Sequence, residues 1–256
     1  MYKHAAFVLL MMFFSVEVSS AECVVLLHGL ARTSNSMNEL ETKLTNEGYF
    51  VVNVNYPSRT KGILELSEIA VNDGLNQCSK ANSSPVNYVT HSLGGILVRQ
   101  FYKNHQPSNV NRVVMLGPPN NGSEVVDNLK NAPGYDLING PAGMELGTSD
   151  TDIPKTLGPV NFELGVIAGT QSINLILSTF LPNPNDGKVS VESTKVEGMC
   201  GFITLPVTHP FLMTNDKVIS EVIYFLRNGV FISKSSNNEA LKCVKKGITR
   251  SLMKYF

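Results

Sequence analysis

Three residues of this chain, Ser92, Asp186 and His209, could do chemistry together by type and order. A serine hydroxyl is a poor nucleophile at neutral pH, so it needs an adjacent base, and that base needs a third group to orient it. Ser92 stands in Thr90-His91-Ser92-Leu93-Gly94-Gly95, between the apolar run 86–89 and Ile96-Leu97-Val98. This reads as a strand, an abrupt turn and a helix that starts at once. Such a corner pushes the serine hydroxyl into the open at the carboxyl edge of a sheet. The usual pattern is G-x-S-x-G; here Thr90 occupies the first glycine position, which predicts a slightly opened turn.

The base is found by elimination among five histidines. His4 lies in an N-terminal apolar leader, His28 and His91 are tied to the first strand and to the serine turn, and His105 sits at the far end of the helix that begins at Ser92. That leaves His209, just after the last predicted strand. The acid should fall between serine and histidine, beyond the next-to-last strand. Asp127, Asp136, Asp150 and Asp152 come too early, whereas Asp186 comes after it. Asp186-Gly187 is also an ordinary turn pair, and Glu192 is the alternative acid. Developing negative charge on a substrate oxygen needs donors. The N–H of Leu93, next to the serine, is one candidate, and the N–H of Leu30, in His28-Gly29-Leu30, is the other. His28 is then a residue that holds this loop.

The elements that must position these groups follow an alternating rhythm. Residues 23–27 form a continuous apolar run, as expected of a strand covered on both faces. Ser36 and Glu39 resemble a capping box, with Met37, Leu40 and Leu44 at helical spacing up to Gly48. A strand over 49–55, a helix over 63–78, the Ser92 strand and helix, and a strand over 110–116 come next. Strands alternating with helices predict an α/β fold with a mostly parallel sheet of about six strands. The rhythm breaks between 118 and 160, where glycine and proline are frequent; this stretch is expected to be an ordered cap insertion. The sheet resumes at 162–168 and ends with 201–207, and a last amphipathic helix is expected over 211–227. Residues 1–21 are expected to be a signal peptide, 22–256 a single domain, and about 230–256 a polar tail.

Composition narrows the function. Lys plus Arg and Asp plus Glu both number 21, with no long run of either sign, so nothing points to nucleic acid or makes a highly charged substrate the natural expectation. The basic, apolar, small-residue order of the leader, with Ser19-Ser20-Ala21 as cleavage site, predicts export to a periplasmic or extracellular space; an uncleaved anchor ranks below it. There the even cysteine count matters. Cys23 opens one strand and Cys78 ends the helix before another, which places both at one sheet edge and favours pairing 23 with 78 and 200 with 243. No C-x-x-C spacing suggests zinc or redox work, and free buried thiols are the alternative to disulfides.

The succession of residues 24–30 (V-V-L-L-H-G-L), 90–95 (T-H-S-L-G-G), 116–123 (L-G-P-P-N-N-G-S), 185–194 (N-D-G-K-V-S-V-E-S-T) and Thr208-His209 resembles bacterial lipases and esterases of the α/β-hydrolase superfamily. It looks closest to the smaller ones, since the stretch before Cys23 has no room for two further strands. The resemblance implies hydrolysis of carboxylic esters through an acyl-enzyme, with Ser92, Asp186 and His209 as the matching triad and no cofactor. The apolar residues Leu175, Ile176, Leu177, Phe180 and Leu181 tilt the expected substrate toward lipid-like acyl groups, with transient contact at a lipid interface. An acyltransferase using the same triad, and a non-catalytic binding protein that kept the fold, are the alternatives.

Overall fold

The computed structural model describes residues 20–233. The expected leader, its cleavage site at Ser19-Ser20-Ala21 but for its last two residues, and most of the expected polar tail lie outside these residues.

Six parallel strands form one sheet in the order β2-β1-β3-β4-β5-β6: β1 (Cys23–Leu27), β2 (Phe50–Val54), β3 (Val86–His91), β4 (Val110–Leu116), β5 (Glu163–Gly169) and β6 (Gly201–Leu205). Every residue of β1 is fully buried, because side chains alternate between two covered faces. Cys23, Val25 and Leu27 pack with residues of α2 (Ile63–Lys80) and α3 (Leu93–Asn104). Val24 and Leu26 pack with those of α1 (Asn38–Asn46) and, at the end of the chain, the helix Asp216–Asn228.

The chain runs from β1 outward to β2, returns to β3 on the other side of β1, and continues to β6. The sheet therefore reverses its winding between β1 and β3, and the crevice beyond the carboxyl ends at such a point is where open α/β sheets bind ligands. Leu27 pairs with Thr90, so the loop after β1 and the turn after β3 leave the sheet at the same level.

The break in rhythm after β4 is an ordered excursion carrying α4 (Glu124–Leu129), α5 (Tyr135–Met144) and α6 (Ile153–Thr156). Its base is tied to α3 by Arg99, which is buried and donates to the carbonyls of Asn120 (2.8 Å), Pro154 (3.3 Å) and Gly158 (2.8 Å). Asn120 and Asn121 in turn donate to the carbonyls of Thr194 (2.7 Å) and Lys195 (2.9 Å). Glu145 reaches back to accept from the N–H of Ile63 at 2.7 Å; a carboxylate there satisfies a donor at the N-terminus of α2, whose own N-cap, Gly62, has no side chain to offer. After β5 comes the short α7 (Leu175–Ser178), and α8 (Asp216–Asn228) closes the described fold.

Two helix starts differ from expectation. Ser36 lies inside a 3-10 turn over Ser34–Met37 and donates to the Thr33 carbonyl at 2.8 Å, so no capping box with Glu39 forms and α1 begins at Asn38. The last helix begins at Asp216 and not near 211, because the side chain of Asn215 accepts from Lys217 and Val218 N–H groups and fixes the N-cap there; His209–Phe211 form a separate 3-10 turn.

Cys23 and Cys78 form the expected disulfide, with Cα atoms 5.8 Å apart. Cys200 is also disulfide-bonded, while Cys243, its expected partner, lies outside the described residues. The Cys23–Cys78 link closes a separation of 55 residues, which in the chain-entropy picture stabilises the fold by about 4 kcal/mol. Replacing both residues by alanine is expected to lower the free energy of urea unfolding by about 2 to 4 kcal/mol, whereas an unchanged midpoint would show that the link constrains nothing the packing does not already hold.

Candidate active site

The turn at Ser92 is under backbone strain. Its φ is 51° and its ψ −118°, a region that a residue with a side chain occupies only when its surroundings over-determine it. Here its N–H donates to the Leu116 carbonyl at 2.9 Å and its carbonyl accepts from Gly95 N–H at 3.0 Å. Glycines make the close approach feasible. A Cβ on Gly94 would lie 2.5 Å from the Leu27 carbonyl oxygen, so only glycine lets α3 start against the end of β1. Thr90 is buried, and the nearest contacts of a Cβ on Gly95 would include the Thr90 hydroxyl oxygen at 3.2 Å. The second glycine leaves the room that the threonine side chain takes.

His209 emerges after β6 and Asp186 from the loop after β5. The Asp186 carboxylate is buried and fully engaged: Oδ1 accepts from the N–H groups of Lys188 (3.0 Å) and Val189 (2.9 Å), and Oδ2 lies 2.7 Å from His209 Nδ1. A carboxylate can only accept in this contact, so His209 donates from Nδ1 and Nε2 is the nitrogen left for a base. The two loops are also joined through their backbones, His209 N–H donating to the Asp186 carbonyl at 3.0 Å. Gly117, with φ 55°, sits against this pair: a Cβ there would approach Asp186 Oδ2 to 3.0 Å and His209 Nδ1 to 3.1 Å. Glu192, the alternative acid, points to solvent with its side chain 77% exposed and pairs with Lys195.

The loop after β1 is held as the sequence suggested. His28 is buried, stacks on Tyr56 with centroids 4.0 Å apart, and its Nδ1 lies 2.9 Å from the Gly29 carbonyl. Its Nε2 accepts from Tyr56 N–H, and the Tyr56 hydroxyl donates to the His28 carbonyl. A Cβ on Gly29 would be 3.3 Å from the Ser92 Cβ, which places the chain entering Leu30 directly beside the serine. Leu93 is the first residue of α3, so its N–H belongs to the unpaired first turn of a helix. His105 lies past the end of α3, stacked on Phe101, and His4 falls outside the described residues.

His91, which the sequence ties to the serine turn and not to the role of base, has a place in the site. Its ring lies 4.7 Å from that of His209, and its Nε2 is 3.1 Å from the His209 carbonyl oxygen, to which it can only donate. It braces the backbone of the candidate base from the strand that carries the serine. Adjacency to Ser92 was the available signal; the carbonyl partner, 118 residues away in sequence, is set by the fold.

Ser92, His209, Asp186 and Leu30 open onto one cavity of about 480 Å³, a size typical of small-molecule sites. Its apolar wall comes from Val125, Val126 and Leu146 of the excursion and Leu177 of α7. The fold is that of the α/β-hydrolases. The structure resembles Bacillus licheniformis lipase BlEst2 in its mature form (TM-score 0.66, 19% identity, 81% of this chain against 92% of that one). It is also similar to phospholipase PlaB from Legionella pneumophila (0.64, 18%, 84% against 59%) and to Aspergillus fumigatus lipase B (0.61, 17%, 88% against 57%). Residues 23–152 match the palmitoyl protein thioesterase family, and the chain belongs to it. The chain is an enzyme of the carboxylic ester hydrolase class. No curated protein sequence matches it. The matched segment contains Ser92 and ends before Asp186 and His209.

Burial holds the imidazoles of His28 and His91 below the ordinary histidine value, His91 well below it, with the neighbouring His209 adding to the effect on His91. Each takes up a proton more readily unfolded than folded, so stability is full above about pH 6.5 and falls as pH drops. The expected slope is up to about 1.4 kcal/mol per pH unit for each histidine that stays neutral in the fold. Urea denaturation between pH 7 and 5 should show it, and the slope should be shallower in His91→Gln.

Proposed function

We propose that this protein is an exported serine hydrolase that cleaves lipid-like acyl esters or thioesters through an acyl-enzyme on Ser92. The observation that carries the reading is the buried 2.7 Å contact of His209 with Asp186, opening onto the same cavity as the strained Ser92. Ser92 Oγ attacks the acyl carbonyl carbon while His209 Nε2 takes its proton. The negative charge that forms on the carbonyl oxygen is held by the N–H groups of Leu30 and Leu93. Imidazolium then returns the proton to the leaving oxygen or sulfur, and the bond to the leaving group breaks. Water, deprotonated by the same Nε2, attacks the acyl-serine and frees the acid and Ser92. Asp186 keeps Nδ1 protonated and stabilises the imidazolium.

The apolar wall of the cavity supports an acyl-chain substrate, as do the palmitoyl thioester and the lipids named for the family and for the structural relatives. The Cys23–Cys78 disulfide and the leader composition support export to an oxidising compartment. In this reading residues 22–256 act as one domain, with 118–160 as the cap that shapes the acyl pocket.

Asp186→Asn should lower kcat on a short neutral ester such as p-nitrophenyl butyrate by roughly 10⁴-fold, as the equivalent change does in a serine protease, with unchanged circular dichroism. Glu192→Gln should stay within about twofold of wild type. Full activity in Asp186→Asn, or a large loss in Glu192→Gln, would move the acid elsewhere.

A further inference from the structure

The cavity carries charge that the proposed chemistry does not use. Arg32, two residues past Leu30, and Lys188, two past Asp186, both line it together with Ser92. Among the described residues neither makes an ion pair. Asp186 lies near Lys188, yet its carboxylate is already spent on two backbone N–H groups and His209.

Both cations spring from anchored backbone. Ala31 holds a φ of 54° and its N–H donates to Ser58 Oγ at 3.1 Å, which fixes the chain just before Arg32. Lys188 is pinned at both ends of its peptide unit: its N–H donates to Asp186 Oδ1, and its carbonyl accepts from Ser123 Oγ at 2.8 Å. The two are near enough to feel one another. Burial, then the charge of Arg32, hold the Lys188 ammonium below its ordinary value against the pull of Asp186, and Arg32 also disfavours protonation of His91. Asp186 is the acid that lines the cavity with them, and its carboxylate oxygens are already engaged. Two like charges held beside one another without a partner are relieved by an anion between them.

The walls of the cavity divide by origin. Most of the apolar lining, Val125, Val126, Ile138, Leu146 and Leu177, comes from the excursion and from α7, while both cations come from the loops that also carry Leu30 and Asp186. We infer that Arg32 and Lys188 form a subsite for an anionic group, phosphate or carboxylate, in the leaving-group portion of the substrate, while the acyl chain lies along the apolar wall. A guanidinium fork suits either oxyanion, and the ammonium adds a point charge. This rests on the reading of Ser92 as nucleophile and adds to it the charge of what is cleaved off.

The test is a set of thioesters with one acyl group and leaving thiols of different charge: S-butyryl-3-mercaptopropionate and S-butyryl-2-mercaptoethyl phosphate as anions, S-butyryl-N-acetylcysteamine as neutral, and butyrylthiocholine as cation. The expected order of kcat/KM is anion, neutral, cation. Two partly solvated charges predict an anion-to-neutral ratio of about tenfold at low salt, equivalent to about 1.4 kcal/mol. The ratio should fall toward one in Arg32→Gln/Lys188→Gln and with added salt, and should invert in Arg32→Glu/Lys188→Glu. The phosphate and carboxylate members tell which oxyanion the subsite prefers. Hydrolysis of all members without regard to charge, or a preference that survives in the double variant, overturns the subsite and leaves the reading of Ser92 standing. Hydrolysis of none of them, nor of p-nitrophenyl butyrate, overturns that reading and the subsite with it.

Discussion

The close approach of three backbone segments at the carboxyl edge of the sheet is the constraint on which the site depends. The end of β1, the turn at Ser92 and the chain leaving β4 converge where no side chain fits on Gly29, Gly94 or Gly117. A serine at φ 51° costs of order 1 to 3 kcal/mol. The turn persists because both its neighbours in the sheet and the first turn of α3 are fixed by packing that is fully buried. The register of β1 with β3 then decides which residues meet: pairing Leu27 with Thr90 brings Gly29 level with Ser92 and Leu30 just beyond it.

The candidate acid and base, Asp186 and His209, come from the loops after β5 and β6 at the same edge of the sheet, and they are as firmly tied as the serine. One backbone bond and one side-chain bond link Asp186 to His209, and His91 donates to the His209 carbonyl from the strand that leads into Ser92. Buried neutral histidines at positions 28 and 91 hold the loop after β1 and the base. Arg99, Asn120 and Asn121 connect α3, the base of the excursion and the segment 193–195 by bonds to carbonyls. The excursion is thereby tied to the segment that follows Asp186.

Much of this was legible in the sequence, for physical reasons that differ from residue to residue. Continuous apolar runs such as 23–27 mark strands buried on both faces; chain order pointed to Asp186 as candidate acid, and elimination among five histidines left His209 as candidate base. The cap helices were not legible, because α4 to α6 are short and α5 contains Gly140 and Pro141, which break periodicity. Ser36 and Glu39 have the spacing of a capping box, but a tighter turn took Ser36 first. That Thr90 fills the space left free by Gly95 is a matter of packing that the local pattern does not show. The brace from His91 and the unpaired cations Arg32 and Lys188 depend on which loops share a cavity, and no local pattern encodes that.

The central claim is that the strained serine is an activated nucleophile. Intact-protein mass spectrometry after incubation with a fluorophosphonate, followed by peptide mapping, tests it most directly. The account predicts one covalent adduct per chain, located on Ser92 and absent from Ser92→Ala, with labelling strongly slowed in His209→Ala. An unlabelled wild-type protein, or an adduct on another residue that survives in Ser92→Ala, would contradict it.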